Sequence, residues 1–229
     1  FTYVHKKLRF VINGLQITSI KEEELGDLKR DKLIIRIWQN IQEEQKLGKD
    51  PWDAINFLEM LIKVLDNIKG ERNISPEEII NMFQSLEKFF DLLIKRNEEN
   101  YATFYMLNLV KRLISIQLMK FKDKLFSQEI TIGEFISYIK RPLSNLLRNA
   151  KEYERVVGTT LEQAIAELMM LDERSSCEEK VNAISKIVIA FIERMVNVGM
   201  PKRYRRMLMR FLTEELVNAL SNDEEERMN

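Results

Sequence analysis

Five cationic side chains crowd a short stretch near the end of the chain, and no other group of residues has such distinctive chemistry. They are Lys202, Arg203, Arg205, Arg206 and Arg210. Pro201 predicts that a helix begins here, and the positive partial charge of a helix amino end opposes further cations. At helical spacing, Lys202, Arg203, Arg206 and Arg210 lie on one face. Forked Arg donors on one face favour a ligand that carries phosphate or carboxylate groups.

Three interpretations of this basic stretch remain open. Acidic residues of the same chain could neutralise it, either in the tail at residues 223–226 or on an adjacent helix. An acidic surface of a protein partner is the second interpretation, and the phosphate backbone of a nucleic acid is the third. Tyr204 is the one aromatic residue within the stretch, which gives little indication of base stacking. Other cations that could extend a basic patch are Lys6, Lys7, Arg9, Lys140, Arg141, Arg148 and Lys151.

Residues that could support catalysis are sparse. The chain has no glycine-rich phosphate loop and no serine nucleophile elbow, and His5 is its single histidine. Adjacent glutamates such as Glu77 and Glu78 stand at predicted helix starts, where the helix dipole favours negative charge. Cys177 falls on an apolar seam, which predicts a buried structural thiol, and with His5 alone it makes no metal set. We therefore expect a protein that is not an enzyme and that has no cofactor and no metal. An enzyme with an unrecognised carboxylate or lysine site is the remaining alternative.

Composition limits the class of protein. Of 229 residues, 45% are hydrophobic and 31% are charged, which is typical of a helical globular protein and excludes disorder. The 36 Lys and Arg residues balance the 36 Asp and Glu residues, so no net field attracts nucleic acid or membrane. The longest uncharged apolar run, residues 101–110, is too short for a membrane span. A single cysteine favours the reducing cytoplasm, and the high charge content is a weak indication of a thermophilic source.

Residues 101–121 predict the central helix of the fold. Apolar side chains occupy most of its circumference, and Asn108, Lys111, Arg112 and Ser115 form one narrow polar stripe. A helix of this kind must be buried on most sides. We expect the other helices to surround it and the polar stripe to face water or a partner.

Capping and termination signals predict the other elements. Asn13 and Gly14 predict a β-hairpin over residues 7–20. A helix starts near Asp27 and is closed by Gly48, and Asp50 with Pro51 caps a second that ends at Gly70. Further starts are expected at Ser75 with Glu78, at Thr131 with Glu134, at Thr159 and Thr160, at Ser176 with Glu179 and at Pro201. Ends are expected before Pro142, at Gly158 and at Gly199.

These signals predict an all-α protein. We expect a compact bundle of about eight or nine antiparallel helices with a small N-terminal β-hairpin, and a short helical solenoid is the alternative. The expected divisions are a hairpin segment (residues 1–22), a helical domain (residues 23–221) and an acidic tail (residues 222–229). We expect a scaffold subunit that binds a protein partner, which could be a second copy of the chain. The alternative is a nucleic-acid-associated protein that grips phosphates through residues 202–210.

Overall fold

A computed structural model of the chain describes residues 16–169, 176–197, 202, 205, 206 and 209. Within these ranges a 3-10 segment, Glu22–Arg30, precedes six α-helices, and there is no strand. The helices are α1 (Lys32–Lys46), α2 (Ala54–Lys69), α3 (Pro76–Arg96), α4 (Tyr101–Phe126), α5 (Ile132–Met169) and α6 (Cys177–Asn197). The prediction of an all-α protein is confirmed.

The chain divides into two compact units. One unit is Leu15–Arg148, and the chain from Asn149 onward belongs to the other. Helix α5 therefore contributes its first part to one unit and its remainder to the second. The divisions expected at residues 22 and 221 stay predictions.

Helix α3 contributes eight buried side chains to the core of the first unit. Its side chains Ile79, Phe83, Leu86, Phe90 and Leu93 are all buried, so the continuous seam that their spacing predicts is confirmed. Helix α3 packs against α4 and α1. Phe83 meets Phe135 of α5 edge to face, with the ring centroids 5.5 Å apart. Apolar area removed from water on several sides of α3 is the main stabilising contribution to this unit.

Several predicted caps are confirmed. The Ser75 hydroxyl accepts a hydrogen bond of 3.2 Å from the Glu78 N–H, and Ser176 accepts one of 3.2 Å from the Glu179 N–H. Thr131 and Glu134 form a reciprocal capping box, in which the Glu134 N–H donates to Thr131 Oγ1 over 3.1 Å. These bonds satisfy backbone groups that a helix start leaves without partners. Gly48 follows α1 with φ +75°, as its predicted closing role requires.

Two predicted helix starts are wrong. The first helix does not run from Asp27, because Asp31 caps a separate helix by accepting from the Leu33 N–H over 2.9 Å. The second begins at Ala54, capped by Asp53, rather than at Pro51. Trp52 explains this shift, since its side chain stacks on Phe57 and its carbonyl accepts the Ile17 N–H over 2.6 Å. These contacts hold Pro51 and Trp52 in a turn.

The predicted breaks at Pro142 and Gly158 are also wrong. Helix α5 continues through both residues, so three predicted helices are one. Ile139 and Leu143 are wholly buried on either side of Pro142, and this packing outweighs the one backbone bond that proline removes. With this merger, the count of eight or nine helices is not supported. The predicted helix over residues 201–220 lies mostly outside the described residues.

The predicted hairpin lies mostly outside the described residues as well. Of residues 7–20, only 16–20 are described, and there Gln16 makes an isolated antiparallel bridge to Asp53. Ile17 and Ile20 are buried in the core of the first unit. This part of the segment therefore docks on the helices.

Candidate functional site

The predicted basic stretch is described in part. Lys202, Arg205 and Arg206 are helical, whereas Arg203 and Arg210 lie outside the described residues. The side chains of Lys202 and Arg206 are exposed, and Arg205 is half-buried. Lys202 and Arg206 are one helical turn apart and lie on one side of that helix. Within the described residues, Arg205 Nε is buried and has no hydrogen-bond partner.

The other basic residues differ in whether they are free to bind a ligand. Lys140 Nζ donates to Asp66 Oδ1 over 2.6 Å, so this cation is paired within the first unit. Arg141 and Arg148 are exposed on α5. The chain has no net charge that would attract nucleic acid as a whole. Any contact with nucleic acid would therefore depend on individual exposed cations.

A stripe of exposed branched side chains runs along α6. Val181, Ile189, Ile192 and Val196 have between 41 and 56% of their surface exposed. Their spacing of eight, three and four residues places them on one side of the helix, and we call them the α6 stripe. The Cys177 thiol at the start of α6 is exposed too, so the prediction of a buried thiol is wrong. Cys177 and Val181, the first apolar residue of the seam, are both exposed at the start of α6.

A second exposed stripe follows α4. It consists of the half-buried Leu109 and of the exposed residues Arg112, Ile116, Met119, Asp123 and Phe126, and we call these six residues the α4 stripe. Met119 is 81% exposed, and Ile116 and Phe126 are exposed as well. The residues alternate steps of three and four, which is the spacing of one seam of a coiled coil. The prediction that α4 is buried on most sides, made from its apolar content, is therefore wrong on this side.

Two residues of the polar stripe predicted to face water or a partner face α3 instead. Ser115 Oγ donates to Glu87 Oε2 over 2.7 Å, and Lys111 pairs with Asp91. Asn108 bonds the Phe104 carbonyl of its own helix over 2.8 Å. The Ser115–Glu87 and Lys111–Asp91 pairs join α3 to α4 at the border of the core. Arg112 alone points outward, into the α4 stripe.

A buried polar cluster holds the segment at residues 16–18. Asn97 and Thr103 are the buried polar residues of the described chain, at 1% and 0% exposure. Asn97 Oδ1 accepts the Thr18 N–H over 2.7 Å, and Asn97 Nδ2 donates to the Leu93 carbonyl over 2.7 Å. Thr103 Oγ1 and Asn100 Nδ2 both donate to the Gln16 carbonyl. Because every polar atom named here has a partner, the cluster fixes the chain rather than awaiting a ligand.

One shallow cleft opens beside α1. Its volume is about 240 Å³, below the usual range for small-molecule sites, and Glu22, Lys29 and Trp38 are among its lining residues. Glu22 and Lys29 pair with each other at 3.1 Å, so they neutralise one another. Such a cleft has no nucleophile and no free acid or base among its lining residues. It does not make a catalytic site.

Two carboxyl groups have raised pKa values for a structural reason. Burial raises the pKa of Asp53, against the lowering effect of the N–H groups of Asn56 and Ile55 that it accepts as a helix cap. Burial also raises the pKa of Glu44, opposed by the nearby charge of Lys49. Asp53 has its role in starting α2, and Glu44 lies on α1 with no other titratable partner in hydrogen-bond contact. Neither shift indicates a general acid or base.

The described residues contain no group of three or more His, Cys, Asp or Glu side chains that could hold a metal ion. None of the helices described is both long enough and apolar enough to cross a membrane. Comparison of the chain with family models, with curated proteins and with solved structures finds no match. The surfaces described above are therefore the basis for a functional assignment.

Proposed function

We propose that this protein is a non-enzymatic subunit that binds another protein and serves as a scaffold within a larger assembly in the cytoplasm. The α6 stripe is the observation that carries this proposal. Contiguous apolar patches are rare on proteins that work alone, and they commonly mark contact with another protein. An exposed free thiol at Cys177 suits a reducing compartment.

The chemistry of the α6 stripe indicates what kind of partner it fits. Val181, Ile189 and Ile192 are branched aliphatic side chains with no polar atom to satisfy, and Val196 continues the same side. A helix with such a side is recognised by an apolar groove or by the apolar side of another helix. We infer a protein partner that presents a helical apolar surface.

A paired substitution on α6 tests the proposal. The tagged chain is purified under native conditions from its source cells, and bound proteins are quantified by mass spectrometry. Changing Ile189→Asp together with Ile192→Asp should remove a partner that is stoichiometric with the unchanged chain, because two charges would be buried in the contact. That partner is then purified and mixed with the chain to measure the complex directly.

Lys186→Asp is the matched control, since Lys186 is exposed on α6 outside the stripe. It should keep the partner. A chain that elutes with no stoichiometric partner, or a partner that the double variant retains, would contradict the proposal.

A nucleic-acid-associated protein is the second candidate. It is favoured by the exposed side chains of Lys202 and Arg206, one turn apart on a helix. A phosphate-binding site should weaken by roughly 0.9 log units per log unit of salt for each phosphate contacted. Labelled duplex and single-stranded nucleic acid should bind the unchanged chain at low salt and should bind poorly when Arg203, Arg206 and Arg210 are replaced by Ala. Absence of binding at low salt would remove this candidate.

A further inference from the structure

The order of residues along the α4 stripe is symmetric about its middle. The midpoint lies between residues 117 and 118, with Ile116 on one side and Met119 on the other. Arg112 and Asp123 are the next pair outward, and they carry opposite charges. Leu109 and Phe126 form the outermost pair, and both are apolar. Each position of the stripe therefore has a chemically complementary position at the same distance on the other side of the midpoint.

Two observations show that this stripe is available for contact. Met119 is 81% exposed and Ile116 is 47% exposed, although both are large apolar side chains. Arg112 and Asp123 are also exposed, and within the described residues neither is in an ion pair. Their neighbour Lys111 shows the contrast, because it points to the other side of α4 and pairs with Asp91. The stripe thus has unpaired charges and exposed apolar surface together.

We infer that the α4 stripe is the interface through which two copies of this chain form a dimer, with their α4 helices packed antiparallel. In that arrangement a two-fold axis passes between residues 117 and 118 of both copies. Ile116 of each copy meets Met119 of the other, and Leu109 meets Phe126. Arg112 of each copy meets Asp123 of the other, so two ion pairs flank the apolar centre. An isologous contact of this kind closes after two chains and leaves no further copy of the surface free.

Charge selects the direction of pairing. In a parallel pair, Arg112 would face Arg112 and Asp123 would face Asp123, and like charges in contact are destabilising. The antiparallel pair replaces both repulsions with attractions. Alternating steps of three and four place all six residues along one side of α4, as the contact between two packed helices requires. One arrangement therefore satisfies the charges and the spacing at once.

The length of the stripe is sufficient for a helix pair. From Leu109 to Phe126 it extends for about 26 Å at 1.5 Å per residue. It belongs to the first unit alone, and it shares no residue with the α6 stripe. The dimer therefore does not depend on the partner proposed for α6, and either could fail without the other.

Charge reversal tests the inferred dimer. The full chain is examined by sedimentation over a dilution series, in which the unchanged protein should be a dimer that dissociates on dilution. Arg112→Asp places four acidic side chains in the interface, and Asp123→Arg places four basic ones. Each should raise the dimer dissociation constant by about tenfold or more, since a tenfold change needs only about 1.4 kcal/mol. A chain with both substitutions restores two opposite-charge pairs and should recover the dimer.

The double variant also controls for folding, because it contains both substitutions that the single variants contain. Arg148→Asp, an exposed site on α5 outside the stripe, should leave the dimer unchanged. A monomer at all concentrations up to about 100 μM, a dimer insensitive to both reversals, or a double variant that stays monomeric would each overturn the inference.

Cross-linking measures the direction of pairing independently. In a Cys177→Ser background, one chain carries Leu109→Cys and another carries Phe126→Cys. Residues 109 and 126 of different copies meet in the antiparallel pair, so mild oxidation should give disulfide-linked dimers only when the two chains are mixed. Linked dimers from either chain alone would overturn the antiparallel arrangement, because they require residue 109 or residue 126 to face itself.

Discussion

Asn97 Oδ1 accepts a hydrogen bond of 2.7 Å from the backbone N–H of Thr18, although the two residues are 79 positions apart in the chain. The same amide group donates to the Thr18 carbonyl over 3.3 Å and to the Leu93 carbonyl over 2.7 Å. A buried amide thus ties an irregular segment to the end of α3. Side-chain amides suit this role because they both donate and accept.

Replacing Asn97 by Ala should lower the free energy of unfolding by about 1–3 kcal/mol, because it leaves partly buried backbone groups without partners. Urea unfolding followed by circular dichroism measures the change. The matched variant Asn100→Ala should cost less than about 1 kcal/mol, since Thr103 still donates to the Gln16 carbonyl that Asn100 contacts. Equal losses in the two variants would show that Asn97 has no special role in holding residues 16–18.

Short capping signals predict three helix starts in this chain. Ser75, Thr131 and Ser176 each accept the expected N–H group. At Asp50 the signal is just as strong, yet the helix starts at Ala54 because Trp52 is packed between Trp38 and Phe57. Contacts between residues distant in sequence decided that position, and no local pattern contains them.

The pKa of Asp53 should make stability depend on pH. Burial raises the folded-state pKa of this carboxyl above its ordinary value of 3.8. Below pH 3.8 the carboxyl is protonated in both the folded and the unfolded state, and its contribution to stability is fully present. That contribution is lost as the pH rises through the folded-state pKa. Asp53→Asn should remove this part of the pH dependence while keeping a capping oxygen for the Ile55 and Asn56 N–H groups.

The free energy of unfolding of the Asn variant at pH 7 should therefore equal or exceed that of the unchanged chain. Asp53→Ala is the control, and it should lose about 0.5–2 kcal/mol at every pH because the cap itself is gone. Urea unfolding between pH 3 and pH 7 compares the three proteins. If the Asn and Ala variants behaved alike, the capping contacts of Asp53 would be energetically unimportant.

Proline and glycine are poor guides to the ends of α5. Pro142 predicts an end because proline lacks an N–H, but Ile139 and Leu143 are buried one turn apart across it. A helix that continues through Pro142 places both side chains on one buried face. A sequence shows the local cost at Pro142, and it does not show the packing that offsets this cost.

Pro142→Ala should raise the free energy of unfolding by about 1–3 kcal/mol, since an interior proline is disfavoured by about that amount relative to Ala. Gly158→Ala should raise it by about 0.5–1 kcal/mol for the same reason. The sign of the stability change in Gly158→Ala distinguishes a continuous helix from a helix that ends at Gly158. Ala would be strained at a glycine that ends a helix with positive φ, and the variant would then be less stable. A loss of stability in Gly158→Ala would contradict a continuous α5.

The α4 stripe shows the limit of apolar content as a guide to burial. Residues 101–121 are apolar on most sides, and this correctly predicts that Leu107, Val110 and Ile114 are buried. The same count does not reveal that Ile116 and Met119 are exposed. A signal that could have found them is the alternation of three and four residues from Leu109 to Phe126, interrupted by one cation and one anion. Charges within an apolar seam indicate an exposed surface rather than a core.

Exposure of Cys177 gives a direct test of where α6 places its seam. The thiol is exposed at the first residue of the helix, so it should react completely with a thiol reagent in the folded protein. Absorbance of the released chromophore should reach one thiol per chain without added denaturant, at a rate that does not depend on urea. A buried thiol would instead react only when the chain opens, and its rate would increase steeply with urea. Such urea dependence would mean that Cys177 lies in the core and that the α6 seam faces inward at its start.

The Val181→Asp variant extends the test, because a charge on an exposed stripe should leave the labelling rate unchanged. The free energy of unfolding should also stay unchanged within about 0.5 kcal/mol.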